Sequence, residues 1–395
     1  MNIKKDFPIF ANKPQWVYLD TAATALKPAV LAQRLEKFYN HEYATVHRGA
    51  YKESMRATQE YDAARELVAI TFHADPEEII FTKGTTEGLN LLAYTLEHQL
   101  SSNDTILLSD SEHHANLVPW QLLALRKKVN LKFFPVQHDG TWDVQAIIAL
   151  MTEDVKILAC THISNVYGTV FPVEAVIAAA QKKGIITVID GAQAPFNASI
   201  DLHRLGCDFY AFSAHKCYGP TGLGILYGKK DRLAALPPWI AGGDMIEKVT
   251  LTHTTFQQPP MRFEAGTPNF ADVIAFKAVL EYLRQWPLDD IINHKKNLLD
   301  RLAHELRATP RVHLVGDNPH KVSLQAMTID GLHPLDFALY LDSHDIAIRS
   351  GHLCAMPLVE RMPGQRVARV SLGIYSDESD IARFIEVLNK ALKVF

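Results

Sequence analysis

The stretch that decides the fold is "FYAFSAHKCYGPTGLGILYG", residues 209–228. Aromatic and small residues lead into Ser213-Ala214-His215-Lys216, and glycines follow directly, so the pattern predicts a buried strand that ends at a lysine. A buried ammonium group is costly unless it is paired or neutralised. Lys216 therefore needs a chemical reason to lie where it does.

The chain around this stretch alternates between strand-like and helix-like segments. Apolar strand patterns occupy residues 104–110, 131–136, 155–161, 185–190, 208–213 and 223–228. Helical patterns lie between them at residues 116–128 and 172–183. Strands that alternate with helices predict an α/β fold with a mainly parallel sheet covered on both faces.

The pattern changes after residue 240. Residues 240–268 carry paired glycines, paired prolines and many threonines, which predicts a long ordered loop. Beyond it, helical patterns over residues 270–307, strands at 322–330, 345–349 and 366–371, and a terminal helix from "SDESDIARF" indicate a smaller α+β domain. We predict a large domain over residues 16–262 and a small domain over residues 263–395, and we expect residues 1–15 to pack with the small domain.

Composition excludes several classes of function. Lys plus Arg number 40 and Asp plus Glu number 44, a net charge of -4, which provides no basic field for nucleic acid or membrane. No apolar run is long enough to span a membrane, and "MNIKKDFPIF" is not a signal peptide. The four cysteines form no CxxC pair, so we expect reduced thiols and a cytoplasmic protein.

Polar residues follow several predicted strands, where ligands of doubly wound sheets bind. Gly84-Thr85-Thr86 opens a helix and is either an anion site or an ordinary threonine cap. Asp190 ends an apolar strand and is either a buried carboxylate with a cationic partner or a helix cap. His113 and His114 are adjacent and do not share a face, so no metal site is predicted.

An anion site, a buried Asp and a buried Lys at neighbouring strand ends have one economical explanation. Pyridoxal phosphate requires a lysine for its Schiff base, an acidic partner for its pyridine nitrogen and a cradle for its phosphate. The glycines of "GPTGLG" lead into a strand and do not match the dinucleotide fingerprint, which argues against a dehydrogenase.

A second reactive centre is predicted near the C-terminus. In "DIAIRSGHLCAMPL", Cys354 lies on a loop beside Arg349 and His352, and this setting favours a thiolate, although a lone cysteine is more often inert. Arg369 lies on the strand "RVARVSLG" and is a natural clamp for a substrate carboxylate.

These motifs together resemble a known family. "SAHKCYGPTGLGILYG", "VIDGAQA", "EHHANLVPW" and "RFEAGTPN" are similar to the class V aminotransferase branch of fold-type I pyridoxal-phosphate enzymes. "RSGHLCAMP" resembles the group II cysteine desulfurases of the SufS and CsdA type. The resemblance covers nearly the whole chain. It implies that L-cysteine is converted to L-alanine while the sulfur becomes a persulfide on Cys354.

The resemblance also implies a role for each matching residue. Lys216 would carry the Schiff base, Asp190 would pair with the pyridinium nitrogen, Gln193 would bind the phenolic oxygen, and His113 would stack on the ring and act in catalysis. The phosphate would be held by Thr85, Thr86, Ser213 and His215, and by Thr267 from the other subunit of a homodimer. The substrate would meet Asn165, Arg369, Arg349, His47 and Arg48.

The resemblance further implies a sulfur-acceptor protein of the SufE or CsdE type and a role in iron–sulfur cluster or other sulfur-cofactor assembly. Leu353 departs from the family, which often has histidine before the cysteine. Alternatives are a selenocysteine lyase or another β-lyase of the same branch, or a non-catalytic scaffold of a sulfur system.

Overall fold

The computed structural model describes residues 3–395, and a seven-stranded and a four-stranded sheet form its framework. The strands in chain order are β1 (Val17–Tyr18), β2 (Ile79–Thr82), β3 (Thr105–Ser109), β4 (Asn130–Phe134), β5 (Val155–Thr161), β6 (Ile186–Asp190), β7 (Phe209–Ser213), β8 (Gly224–Gly228), β9 (Ile246–Val249), β10 (Thr254–Phe256), β11 (Val312–Val315), β12 (Leu324–Ile329), β13 (Ile346–Ala347), β14 (Arg349–Gly351) and β15 (Val367–Ser371).

The large sheet has the order β2-β8-β7-β6-β5-β3-β4. Strand β8 runs antiparallel to both of its neighbours, β2 and β7, and the remaining pairs are parallel. Six strands therefore point the same way, and their carboxyl ends share one edge of the sheet. The predicted α/β class and mainly parallel sheet are confirmed.

Helices cover both faces of this sheet. The helices of both parts of the structure, in chain order, are α1 (Ile9–Asn12), α2 (Ala29–Lys37), α3 (Lys52–Phe72), α4 (Thr85–Leu96), α5 (Val118–Lys127), α6 (Val144–Ala149), α7 (Val173–Lys182), α8 (Leu202–Leu205), α9 (Lys230–Ala235), α10 (Phe270–Leu283), α11 (Leu288–Ala308), α12 (Pro334–Asp342), α13 (Met356–Val359) and α14 (Glu378–Val394), with a π-helical turn at Phe38–Glu42 after α2. Within residues 3–395, no helix combines the length and apolar content that crossing a membrane requires.

Successive strand residues face the two helical layers in turn. Leu107 packs into the core shared by α3, α7 and α10, whereas Ile106 and Leu108 pack into the core shared by α4 and α5. This alternation follows from the two-residue period of a strand. Because both faces are buried, the strands read as continuous apolar runs, which is why the sequence revealed them.

The small sheet has the antiparallel order β11-β12-β15-β14. Helices α11 and α14 pack on it through leucine, isoleucine and phenylalanine side chains. Val17 and Leu19 belong to the same core, and β1 pairs with β13, whereas α10 packs with the large-domain core. The predicted limits of 16–262 and 263–395 stay a proposal. By this packing, Val17 and Leu19 would belong to the small domain and α10 to the large domain.

The sequence pattern predicted one long loop over residues 240–268, and this prediction was wrong. These residues contain the antiparallel hairpin of β9 and β10 and a 3-10 turn at Met261–Phe263. The strands are short, β9 is largely exposed and β10 is half-buried, so they lack the apolar alternation that marks a buried strand.

Helix α4 begins at an unusually close approach between two backbone segments. A Cβ added at Gly224, the first residue of β8, would lie 2.4 Å from the Cα of Gly84, the residue that precedes α4. Real Cβ atoms do not approach backbone that closely, and the backbone of Gly84 has little room to move. Only glycine at position 224 lets the N-terminus of α4 reach the strand-end edge of the sheet.

We therefore expect Gly224→Ala to destabilise the protein by about 1–3 kcal/mol, the usual cost of overpacking. The measurement is urea unfolding followed by circular dichroism. Gly242→Ala is the matched control, because a Cβ there meets nothing within 4 Å. Equal unfolding midpoints for the two variants would show that the close approach does not constrain the fold.

Candidate active site

One cavity lies at the shared edge where the parallel strands end. Its volume is about 290 Å³. The residues that line it are Ala22, Ala23, Thr85, Thr86, His113, Ala115, Asn165, Asp190, Ala192, Gln193, Ser213, His215, Lys216, Arg349, Leu353, Cys354 and Arg369. Twelve of the fifteen residues predicted from sequence are among them, so the chain brings together polar groups that are up to 284 positions apart, from Thr85 to Arg369.

Lys216 reaches the cavity from a single 3-10 turn, Ala214–Lys216, directly after β7. Burial lowers the pKa of this ammonium group, and the nearby Asp190 carboxylate only partly opposes the shift. A lysine with a lowered pKa has a larger neutral fraction near pH 7 and can act as a nucleophile or a base.

Asp190 is the last residue of β6 and is 2% exposed. One carboxylate oxygen accepts a hydrogen bond from the Ala192 amide at 2.9 Å. Burial raises the pKa of Asp190, while that hydrogen bond and the charge of Lys216 act against the rise. A buried carboxylate in this setting favours a cationic group beside it, as the sequence predicted.

His113 is held as a neutral ring. Its Nδ1 accepts a hydrogen bond from the Ala115 amide at 3.0 Å, which leaves the proton on Nε2. Burial, followed by the charge of Lys216, lowers the pKa of His113 to about 3. The ring therefore offers a fixed, uncharged aromatic face to the cavity.

The N-terminus of α4 forms one end of the cavity, and its groups suit an anion. The Thr85 amide donates to Ser213 Oγ at 2.8 Å, and the two hydroxyl oxygens are 2.7 Å apart. Thr86 also lines the cavity here. Hydroxyl groups at the positive end of a helix dipole suit a phosphate. This helix has twelve residues, so its dipole is well developed.

Two further side chains border this end. His215 Nδ1 lies 3.1 Å from Thr24 Oγ1, and burial lowers the pKa of the ring to about 4. Gln193 donates from Nε2 to the Ala22 carbonyl at 2.7 Å. Both contacts lead to residues 22–24, so the N-terminal segment holds these side chains in place.

Arg369 is a buried guanidinium with an unused donor. It is 3% exposed, donates from Nη1 to the Asn165 carbonyl at 2.8 Å and from Nη2 to Asp20 at 3.3 Å. Its Nε is buried and has no hydrogen-bond partner within residues 3–395. Such a donor is costly to leave unpaired, and it suits a substrate carboxylate. Arg349 pairs with Asp20 at 2.9 Å on the same side.

Cys354 lies on an exposed turn over the cavity, whereas Cys160, Cys207 and Cys217 are buried. Burial raises the pKa of Cys217 to about 12, so this thiol remains protonated. Leu353 and Cys354 have φ values of 54° and 56°, both in the left-handed region. That conformation costs roughly 1–2 kcal/mol for each non-glycine residue, so surrounding contacts must hold the turn.

The chain does not bring His47, Arg48 and Thr267 to this cavity. The His47 ring packs edge-on against Tyr61, and the exposed Arg48 forms an ion pair with Asp244 at 2.7 Å. Thr267 is exposed on the rim of a second pocket, on a segment that the buried Arg65–Glu264 pair anchors at 2.8 Å. Arg48 and Thr267 are exposed, whereas His47 is half-buried.

Sequence reasoning missed several residues that support the site. Asp20 pairs with both arginines, and its signal was a polar residue directly after the short apolar run of "VYLD". Glu112 is buried beside Asp190; burial raises its pKa to about 8, although Asn116 and Thr161 donate hydrogen bonds to it. His114 contacts the Cys354 turn, and no sequence pattern indicates that contact.

The residues present fit a pyridoxal-phosphate cofactor on three structural grounds. The cavity has a polar helix N-terminus at one end and the buried Asp190 carboxylate at another point of its wall. It also contains a half-buried lysine whose pKa is lowered by burial. A phosphate, a cationic ring nitrogen and an aldehyde match these three features in turn.

Comparison with known proteins gives consistent matches over the whole chain. The family model described as Aminotransferase class-V matches residues 17–384. A cysteine desulfurase of Serratia proteamaculans is 42% identical over 99% of this chain and 98% of its own.

Two solved structures are similar over the full length. The apo cysteine desulfurase of Thermococcus onnurineus NA1 has a TM-score of 0.96 and 33% identity, covering 100% of this chain and 98% of its own. The cysteine desulfurase CsdA of Escherichia coli has a TM-score of 0.93 and 35% identity, with the same coverage.

The neutral state of His113 can be observed directly. Because its pKa is lowered to about 3, we expect its ring carbon resonances to stay unchanged between about pH 8 and about pH 5. Histidine-labelled protein would be titrated by NMR, and the signal that disappears in His113→Gln identifies the residue. A titration midpoint near the ordinary value of 6.5 would contradict the described environment.

Proposed function

The chain belongs to the aminotransferase class-V family and is a pyridoxal-phosphate-dependent cysteine desulfurase, and from this premise we propose which of its residues carry out the reaction. A cysteine desulfurase takes L-cysteine as substrate and transfers its sulfur to an acceptor. The observation that carries our assignment is that Lys216, Asp190 and Cys354 line one cavity.

Several side chains of that cavity would hold the cofactor. Thr85, Thr86, Ser213 and His215 would bind its phosphate, Asp190 its pyridine nitrogen, and Gln193 its phenolic oxygen, while His113 would lie against its ring. Bound pyridoxal phosphate supplies an aldehyde for the substrate amine and a ring that accepts the electron pair released at Cα. Neutral His113 suits this position because it adds no charge beside a ring that Asp190 keeps cationic.

Lys216 would bind the cofactor and then move a proton. Burial lowers its pKa, so its Nζ is more often unprotonated than that of an exposed lysine. An unprotonated Nζ would be the group that holds the cofactor's aldehyde, and the same nitrogen would take the Cα proton of the bound substrate.

Arg369 would orient the substrate through its carboxylate. The buried Nε donor is unpaired and lies on a side chain that other hydrogen bonds hold in place. Asn165 and Arg349, which line the same wall, would complete the carboxylate site. A fixed carboxylate would restrict where the substrate sulfur can lie and would direct it toward Cys354.

The Cys354 sulfur would then attack the substrate sulfur as a thiolate. A bond forms between the two sulfur atoms, and the bond between the substrate sulfur and its β-carbon breaks. The electron pair of that bond remains on the carbon side, which takes up a proton to become the methyl group of alanine. Cys354 is left as a persulfide.

The proposal extends to partners and assembly. Cys354 is exposed and its turn is tied to the protein body, so an acceptor protein of the SufE or CsdE type would have to dock over it. Thr267 would reach the phosphate of the other subunit in a homodimer, consistent with its exposed position. Four unpaired thiols suit a reducing compartment such as the cytoplasm.

Cys354→Ser should abolish alanine formation from L-cysteine, since serine cannot accept sulfur. Alanine release and persulfide labelling would be measured, and the visible absorbance of the bound cofactor should be unchanged. Cys207→Ala is the matched control because Cys207 is buried and outside the cavity. Alanine formation by the Cys354→Ser variant at the wild-type rate would refute the role of Cys354.

The subunit that supplies Thr267 can be identified by mixing variants. Lys216→Ala and Thr267→Val chains are refolded or co-expressed together, and heterodimers of twice the 44.2 kDa chain mass are isolated. If Thr267 acts across the interface, one site per heterodimer is intact and activity returns to about half. If Thr267 acts within its own chain, no intact site forms, and the heterodimer is no more active than the two homodimeric variants.

A further inference from the structure

The turn that carries Cys354 is held in an unfavourable backbone conformation. Leu353 and Cys354 are successive residues with left-handed φ angles, and neither is glycine. Gly351, two residues earlier, also has a positive φ of 109°. Backbone of this kind persists only where the surroundings over-determine it, so contacts that maintain the turn also decide where the Cys354 sulfur lies.

The side chain of Leu353 is the apolar anchor of this turn. It is 8% exposed and belongs to a buried cluster with Val166 and Tyr167, which follow β5, and with Ala326 and Val367 of the small sheet. The same side chain lines the cavity next to Cys354. Burial of Leu353 therefore turns the next residue, Cys354, outward over the cavity mouth.

Hydrogen bonds from the large domain hold the backbone of the turn. Asn165 donates from Nδ2 to the Leu353 carbonyl at 2.6 Å. The His114 amide donates to the Cys354 carbonyl at 2.8 Å, and His114 Nε2 accepts from the Met356 amide at 3.1 Å. His114 thus contacts the turn on both sides of Ala355.

The contact between His114 and Met356 requires an unprotonated Nε2, because only a lone pair can accept that hydrogen bond. Burial and the neighbouring His352 lower the pKa of His114, which is consistent with this requirement. His114 is adjacent to His113, so the residue against the cofactor and the residue that holds the turn share one short segment.

We propose that Leu353 and His114 are positioning residues that fix the Cys354 sulfur at the mouth of the cavity. This inference rests on the proposed function of Cys354. Neither residue contacts the reacting atoms in this role. Leu353 fills an apolar pocket from one side of the turn, and His114 binds its backbone from the other.

The test uses variants that remove each contact and variants that preserve it. Leu353→Ala empties the apolar pocket, and Leu353→Met fills it again. His114→Phe removes the acceptor for Met356, whereas His114→Gln supplies an amide oxygen in its place. Each holoenzyme is assayed for kcat and KM with L-cysteine.

We expect Leu353→Ala and His114→Phe to lower kcat by about 10–100-fold, because displacement of a reacting group by about 1 Å has an effect of this size. KM and the cofactor absorbance should change less than kcat, because no side chain assigned to the carboxylate or phosphate site is replaced. Leu353→Met and His114→Gln should stay within about threefold of wild type.

A spectroscopic measurement separates positioning from general loss of structure. A nitroxide label will attach to Cys354 alone, since the three other cysteines are buried. Its spectrum should be immobilised in wild type, Leu353→Met and His114→Gln, and mobile in Leu353→Ala and His114→Phe. Unfolding midpoints measured in parallel would reveal a variant that has simply lost stability.

The proposal is overturned if Leu353→Ala and His114→Phe keep wild-type kcat, or if the label remains immobilised in both. It is also overturned if their spectra become mobile while kcat is unchanged. Failure of the proposed function would appear differently, as full turnover in Cys354→Ser. In that case the label mobilities would still report whether the two residues hold the turn.

Discussion

Asp20 is the carboxylate on which the arrangement of the cavity depends. Asp20 lies two residues after β1, and its backbone forms an isolated parallel β-bridge with Ser371 of the small sheet. Its carboxylate pairs with Arg349 at 2.9 Å and with Arg369 at 3.3 Å. Arg369 is almost fully buried, so without Asp20 its charge would be uncompensated, at a cost of about 3–5 kcal/mol. The N-terminal segment is therefore part of the proposed substrate site, although it lies more than three hundred residues from the arginines that it orients.

Burial acts on the two central ionisable groups in opposite directions. It lowers the pKa of Lys216 and raises the pKa of Asp190, so each group is moved toward its neutral form. Their mutual attraction works against both shifts. A cofactor with a cationic ring nitrogen and an electrophilic aldehyde would satisfy the carboxylate and the amine separately. The same burial thus makes the unpartnered charges of Asp190 and Lys216 unfavourable and would favour a site that holds the cofactor.

The sequence predicted the large sheet well because each of its buried strands is a continuous apolar run with a polar residue at its end. Asp190 and Lys216 could be recognised for this reason. The hairpin of β9 and β10 was missed because its short, incompletely buried strands have no apolar alternation. The packing of Val17 with the small domain, the pairing of Asp20, and the contact of His114 with the Cys354 turn depend on residues distant in the chain. Such contacts arise from the tertiary fold and leave no local pattern.

The division of the four cysteines between the interior and the surface has a consequence for the direction of sulfur movement. Exchange between sulfur atoms requires a thiolate that can approach the sulfur under attack. Cys160, Cys207 and Cys217 are buried, and burial raises the pKa of each of these thiols. A sulfur atom carried on Cys354 would find no competing thiol inside its own chain. Because the other thiols are buried and protonated, the sulfur can be transferred only to an acceptor that approaches Cys354 from outside the chain.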